Sequence, residues 1–316
     1  MTVATNTIQN VGRVGVREDL SDKIAQLFPD ETPLINAAGR TKAYNTYHEF
    51  QNDVLAAANP NNASIQGDDL ANLARANPTR VGNYTQIFTK VVGSSTTVEW
   101  TKKAGRKSEM ARELMKAGRE LQTDIESRAC GNYASVAPAA GTAGQFGGAL
   151  AWLVSNTSRG AGGANGGFSG SIVAAATNGT QRAYTESLLK SVLQSIWLKG
   201  ASPKMVITNG IQKQNEATFA GLAQQRRETN DKRITIVAGA DAYVSDFGVI
   251  QFVPDRFASA RDALILDPEY VNLAVGEAIT PFDLAQTGLA KRKALRTELT
   301  LEVTHEGALG VVADLS

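Results

Sequence analysis

Few residues in this chain are of types that do chemistry, and their spacing argues against a reaction centre. The soft ligands are two histidines, His48 and His305, and one cysteine, Cys130, fewer than the four that a closed zinc site uses. His305 could act as a general base beside a serine, yet no G-x-S-x-G elbow presents a nucleophile. Asp68-Asp69 could touch a divalent cation, although adjacent acids in a polar loop are usually just solvated. Asp246-Phe247-Gly248 spells a kinase triplet without the H-R-D loop that must accompany it, so a β-hairpin turn is expected there. No glycine is followed by lysine, which excludes a phosphate loop, and the glycines at 160–170 never form G-x-G-x-x-G. No catalytic, cofactor or metal site is expected.

The elements are more informative than the side chains. Ser108 to Gly131 contains no proline, and Met110, Leu114, Ala117, Leu121 and Ile125 step by four, three, four and four, the spacing of one helical face. Ser108 is placed to cap this helix, Glu109 to meet its dipole and Gly131 to end it. Lys116–Glu120 and Asp124–Arg128 are spaced as i, i+4 pairs on the wet side. At about 1.5 Å per residue the helix crosses a whole domain. Thr185–Lys199 is a second helix, with Leu188, Leu189, Val192, Leu193, Ile196 and Trp197 on a wide apolar face. Met205–Thr208, Arg233–Val237, Val249–Val253 and Leu264–Leu266 read as short strands, and Ile211–Phe219 as a helix between them. Leu295, Thr297, Leu299, Leu301 and Val303 alternate with polar residues, predicting a strand with one buried and one wet face.

Other segments have little to bury. Residues 1–40 are polar, with a helical patch around Leu20–Phe28. Tyr44–Phe50 and Thr79–Thr101 read as strand-like on either side of Ala56–Pro78, a run without a core, which predicts a projecting hairpin covered by a partner. Ten glycines lie between Gly141 and Gly170, and composition predicts a surface loop over 137–180. The net charge of +1 gives no sign of a nucleic-acid surface. A single cysteine suits a reducing compartment, the N-terminus lacks a signal peptide's pattern, and no run approaches the ~18 apolar residues of a membrane span.

The order of Asn83–Ile87, Gly105–Glu109, Tyr243–Gly248, Pro254-Asp255-Arg256-Phe257, Leu266-Asp267-Pro268-Glu269-Tyr270, Leu284–Gly288 and Thr300–Val303 resembles major capsid proteins of tailed bacteriophages. Their fold is the α+β Hong-Kong-97-like capsid fold, and the resemblance runs from about Pro33 to Leu315. It implies an N-terminal arm (1–40), an extended loop with adjoining strands (41–100), and a peripheral domain with its spine helix (101–136). A glycine-rich insertion (137–180), an axial domain (181–290) and closing peripheral strands (291–316) complete the implied order. Met110, Leu114, Leu121 and Ile125 would form the spine-helix core. Tyr47, His48, Phe50, Asp68, Asp69 and Tyr84 would lie on the intersubunit loop. The implied partners are copies of the same chain in pentamers and hexamers, a portal, and scaffold or decoration proteins. The shell would enclose double-stranded DNA without reading its sequence, would touch no membrane, and would be assembled in the bacterial cytoplasm. Two alternatives are an encapsulin-like nanocompartment shell and a cytosolic α/β enzyme with 137–180 as a lid. Composition alone leaves these classes open.

Overall fold

The computed structural model describes residues 29, 31–67, 69, 72, 75, 77–102, 108–219, 242–286 and 288–316. The expected helical patch Leu20–Phe28, the expected strand Arg233–Val237 and Asp68 lie outside these residues.

The chain enters through α1 (Pro33–Ala37), a short helix with proline in its first turn, where a missing N–H costs nothing. It continues into β1 (Gly39–Lys42), β2 (Tyr47–Asn52), β3 (Thr79–Tyr84) and β4 (Gln86–Ser95). β2 and β3 form a two-stranded antiparallel sheet, with Tyr47 opposite Tyr84 and Asn52 opposite Thr79. The described residues between them are exposed and outside regular structure. This is a projecting hairpin, but it stops at Tyr84, because β4 turns away into a different sheet. The strand expected to continue through Trp100 instead becomes α2 (Thr96–Trp100). The Ser95 hydroxyl accepts the Val98 N–H at 3.3 Å, and this cap overrides the β-propensity of Thr-Thr-Val.

α3 (Glu109–Cys130) is the long helix, capped by Ser108 as expected. Its buried stripe lies toward the C-terminal end: Ala117, Leu121, Ile125, Glu126, Ala129 and Cys130 are buried, whereas Met110 and Leu114 are half-buried. The expected i, i+4 pairs are re-partnered. Lys116 reaches Glu113 (3.4 Å), Asp124 reaches Lys90 on β4 (2.8 Å), and Arg128 donates to the Phe146 and Ala134 carbonyls. Tertiary partners outcompete exposed helix pairs worth a few tenths of a kcal/mol.

Residues 137–180 are not the surface loop expected from composition. They carry β5 (Thr157–Ser158), β6 (Gly167–Ser169) and β7 (Ile172–Ala174), and they bury Phe146, Ala149 to Leu153, and Val173. Here glycine serves close approach. A Cβ on Gly148 would lie 2.1 Å from the Gly131 carbonyl oxygen and 2.7 Å from that of Arg128, at the end of α3. Gly148→Ala is therefore expected to cost about 1–3 kcal/mol, as overpacking typically does. Thermal unfolding of the purified chain checks this.

The remaining elements are α4 (Glu186–Leu198), β8 (Met205–Thr208), α5 (Gly210–Glu216), β9 (Ala242–Ser245), β10 (Gly248–Pro254), β11 (Ala263–Leu266), β12 (Val271–Asp283), β13 (Ala290–Val303) and β14 (Gly310–Val312). They complete two larger sheets. One is four-stranded, in the order β1-β12-β13-β4, with α3 on one face. Ile35, Ile125, Leu273 and Leu299 line a shared crevice between α1, α3 and this sheet. The other is six-stranded, in the order β5-β14-β11-β8-β10-β9. α4 packs so closely on β14 that a Cβ at Gly310 would strike Val192 and Ile196. The Asp246-Phe247 turn joins β9 to β10 as expected, and Gly248 begins β10 at φ +133°.

Two readings of the closing segment are corrected. Residues 291–316 do not all return to the sheet beside α3, because β14 pairs with β11 and β5 in the six-stranded sheet. The polar face of β13 is not wet at its far end, where Thr300 and Glu302 are buried. Glu302 accepts the Thr41 hydroxyl (2.7 Å) and meets His48 Nε2 (3.2 Å). β1 and the foot of the hairpin cover that face, which a local alternation pattern cannot show.

Candidate assembly surfaces

The hairpin is fastened at its foot and free beyond it. Asn83, fully buried on β3, donates to the Gly147 and Leu301 carbonyls (3.2 and 2.8 Å) and accepts the Gly147 N–H (2.8 Å). Tyr47 and Tyr84 pack in a tilted pair at 4.8 Å between ring centres, and Phe50 packs on Trp152 at 5.8 Å. Tyr47, His48, Phe50 and Tyr84, expected on an intersubunit loop, thus sit together at the foot with partners inside the chain. Beside them runs an open groove of about 430 Å³ lined by Tyr44, Tyr47, His48, Phe50 and Arg80. Asp69 lies beyond the foot and is exposed.

The free part carries apolar side chains with no core to enter: Val54, Leu55 (94% exposed) and Ile65. A second exposed group lies where α2 meets the turn before β13, joined by the Thr96 N–H to the Leu289 carbonyl (3.0 Å). Trp100 (77%) and Leu289 (82%) stand out there. A third lies beside β9, the last strand of the six-stranded sheet among the described residues: Trp197, expected on the apolar face of α4 but half exposed, packs on Phe247 (5.4 Å between rings), with Leu198, Val244 and Val249 exposed. Exposed apolar patches of this kind mark surfaces that meet another protein.

The chemistry that sequence reading missed is structural and buried. Asp314 sits at φ +60° and is fully buried. Its carboxylate accepts the Gly160 N–H (3.0 Å) and the Gly179 N–H (2.7 Å) and pairs with Arg261 (3.1 Å). Burial would raise its pKa, but these donors outweigh burial and hold it below the usual range. Glu216 on α5 is pushed up to about 8 by burial, with Thr208 at 3.4 Å. Its folded pKa lies above the ordinary 4.5, so its contribution to stability is full below pH ~4.5 and is lost as pH rises through about 8. Glu216→Gln should flatten that decline, on the order of 3 kcal/mol, in denaturant midpoints measured from pH 5 to pH 9.

Glu126, Cys130 and Asp255 form a third buried group, with one donor atom of each within 4.8 Å of the others. Both Glu126 oxygens are committed to α1, accepting the Leu34 N–H (2.6 Å) and the Ile35 N–H (2.9 Å). The Cys130 sulfur, at the end of α3, lies 3.8 Å from Glu126 Oε1. The signal for Glu126 was its position between Ile125 and Ala129, which widens the apolar stripe. His305 serves locally: its Nδ1 accepts the Gly307 N–H at 3.0 Å.

Comparison with known proteins agrees with this architecture. The major capsid protein of Escherichia phage Phieco32 is 34% identical over 113 residues, a stretch that spans 35% of this chain and 32% of the relative. The capsid of cyanophage P-SCSP1u superposes with a TM-score of 0.62 at 8% identity, covering 98% of this chain and 96% of that one. The SrpI encapsulin of Synechococcus elongatus gives 0.57 at 11% identity, covering 95% and 93%. These likenesses establish the Hong-Kong-97-like fold. The family model of the SU10 major capsid protein matches residues 2–316. With the match spanning nearly its whole length, this chain belongs to the SU10 major capsid protein family, the coat proteins of phage virions.

Proposed function

We propose that copies of this coat protein close into pentamers and hexamers of an icosahedral head shell around double-stranded DNA, assembled in the host cytoplasm, with no catalytic role. The four-stranded sheet with α3 is taken as the peripheral domain and the six-stranded sheet as the axial domain. The hairpin beyond its foot is the part that reaches neighbouring subunits, whereas Pro33–Arg40 of the expected 1–40 arm is held in its own subunit by Glu126 and β12, and Met110, Leu114, Leu121 and Ile125 steady the spine. A portal, and scaffold or decoration proteins, are the further partners. The observation that carries this reading is the free end of the hairpin: Val54, Leu55 and Ile65 are exposed on a segment with no core of its own. A near-neutral chain suits a shell filled by a motor rather than by condensing its genome through counter-ion release.

The likeness to an encapsulin supports a second reading, a protein-loaded compartment. Particles purified from infected cells separate the two. Nuclease-protected double-stranded DNA inside them is the expected result, and a protein cargo without DNA would favour the compartment.

A further inference from the structure

We propose that Glu126, Cys130 and Asp255 form a proton-dependent junction that fastens the long helix α3 to the six-stranded sheet. Glu126 and Cys130 lie one turn apart on α3, with the sulfur 3.8 Å from Glu126 Oε1. Asp255 follows β10, held in the six-stranded sheet by its N–H to the Thr208 carbonyl (2.8 Å). Its Oδ1 accepts the Phe257 N–H (2.9 Å), while its Oδ2 is buried and finds no hydrogen-bond partner of good geometry. All three side chains are at least 98% buried. The third element at the junction, α1, brings only N–H groups, since Pro-Leu-Ile-Asn-Ala has no titratable side chain. The nearest cation in sequence, Arg256, is exposed. Two carboxyl groups thus share a site with one thiol and, among the described residues, no cation, and like charges so placed do not both ionise cheaply.

One proton resolves this. With either acid neutral, an O–H can fill the vacant Asp255 oxygen or lie between the two carboxyl groups. Ionised Glu126 is the better acceptor for the Leu34 and Ile35 N–H groups, so the contact with α1 does not depend on the proton. The contact between α3 and the chain after β10 does. Burial pushes Glu126 up to about 7 and also raises Asp255 and the Cys130 thiol, so the thiol stays protonated. The sign follows: the junction is fully closed below the ordinary carboxylate range and weakens as pH rises through about 7. A divalent ion is the competing occupant, but it would have to share both Glu126 oxygens with backbone donors.

Amide hydrogen exchange of the full-length chain at pH 6 and pH 9, corrected for intrinsic rates, tests this. Protection of the Phe257 amide should fall about tenfold in all between pH 6 and pH 9 and level off once the pH has passed about 7, while amides of α4 keep theirs. Asp255→Asn should abolish that pH dependence. Because Glu216 also gives up a proton in this range, the infrared band of a protonated carboxylic acid is followed in Glu216→Gln, where it should still be present at pH 6 and lost at pH 9, a readout that does not require Asp255→Asn to fold. Protection at Phe257 independent of pH, an absent infrared band, or a stoichiometric metal ion in the purified chain would each overturn the proposal.

Discussion

Leu121→Ala is expected to lower the melting temperature of the subunit and its yield of particles together. Leu121 is fully buried near the centre of α3. Its neighbours along the stripe, Ala117 and Ile125, are buried with it, and Phe88 and Leu299 form the facing part of the same core. Removing a buried leucine's methyl groups loses their transfer free energy and leaves a cavity, about 2–5 kcal/mol in total. A domain's whole stability is only about 5–15 kcal/mol, so the unfolded fraction rises steeply. Glu120→Gln, one residue away but exposed, should change stability by no more than about 1 kcal/mol. If Leu121→Ala left melting and particle yield untouched, α3 would not be the spine of this subunit.

The second large effect falls on assembly and spares the fold. Deleting Ala58–Pro78 removes only the free part of the hairpin, whose described residues are all exposed. The foot, with Asn83, His48 and the Tyr47–Tyr84 pair, stays in place. The shortened chain should keep the circular dichroism and melting temperature of the full chain, because long surface loops contribute little to subunit stability. Its shells should be lost, or reduced at least tenfold by sedimentation. Normal shells from this deletion would count against the intersubunit role of the hairpin.

Much of this architecture was legible because it is locally encoded. α3 has a serine cap, a four-three-four spacing and a terminal glycine. α4 has a wide apolar face, and the β9–β10 turn announces itself by Asp-Phe-Gly. The hairpin was legible as an absence, since Ala56–Pro78 offers nothing to bury. What was hidden depends on residues far apart in sequence. Gly148 looks like slack until Gly131 is seen against it, and the same composition describes a flexible loop and a tightly apposed one. Glu126 reads as a wet helix position until α1, 92 residues earlier, donates to it. Glu302 reads as the outer face of a strand until Thr41 and His48 cover it. The candidate surfaces were half legible. Sequence placed the loop but chose the aromatic residues at its foot, because strand-like aromatics signal more strongly than scattered Val54, Leu55 and Ile65.

The central claim is that this chain builds a closed shell from copies of itself. Electron microscopy of the purified full-length chain, combined with sedimentation, tests it most directly. The account predicts closed, uniformly sized icosahedral particles, with the segment between β2 and β3 laid across a neighbouring subunit in the reconstructed density. Discrete monomers or small oligomers at every concentration, or particles whose hairpins fold back onto their own subunits, would contradict it.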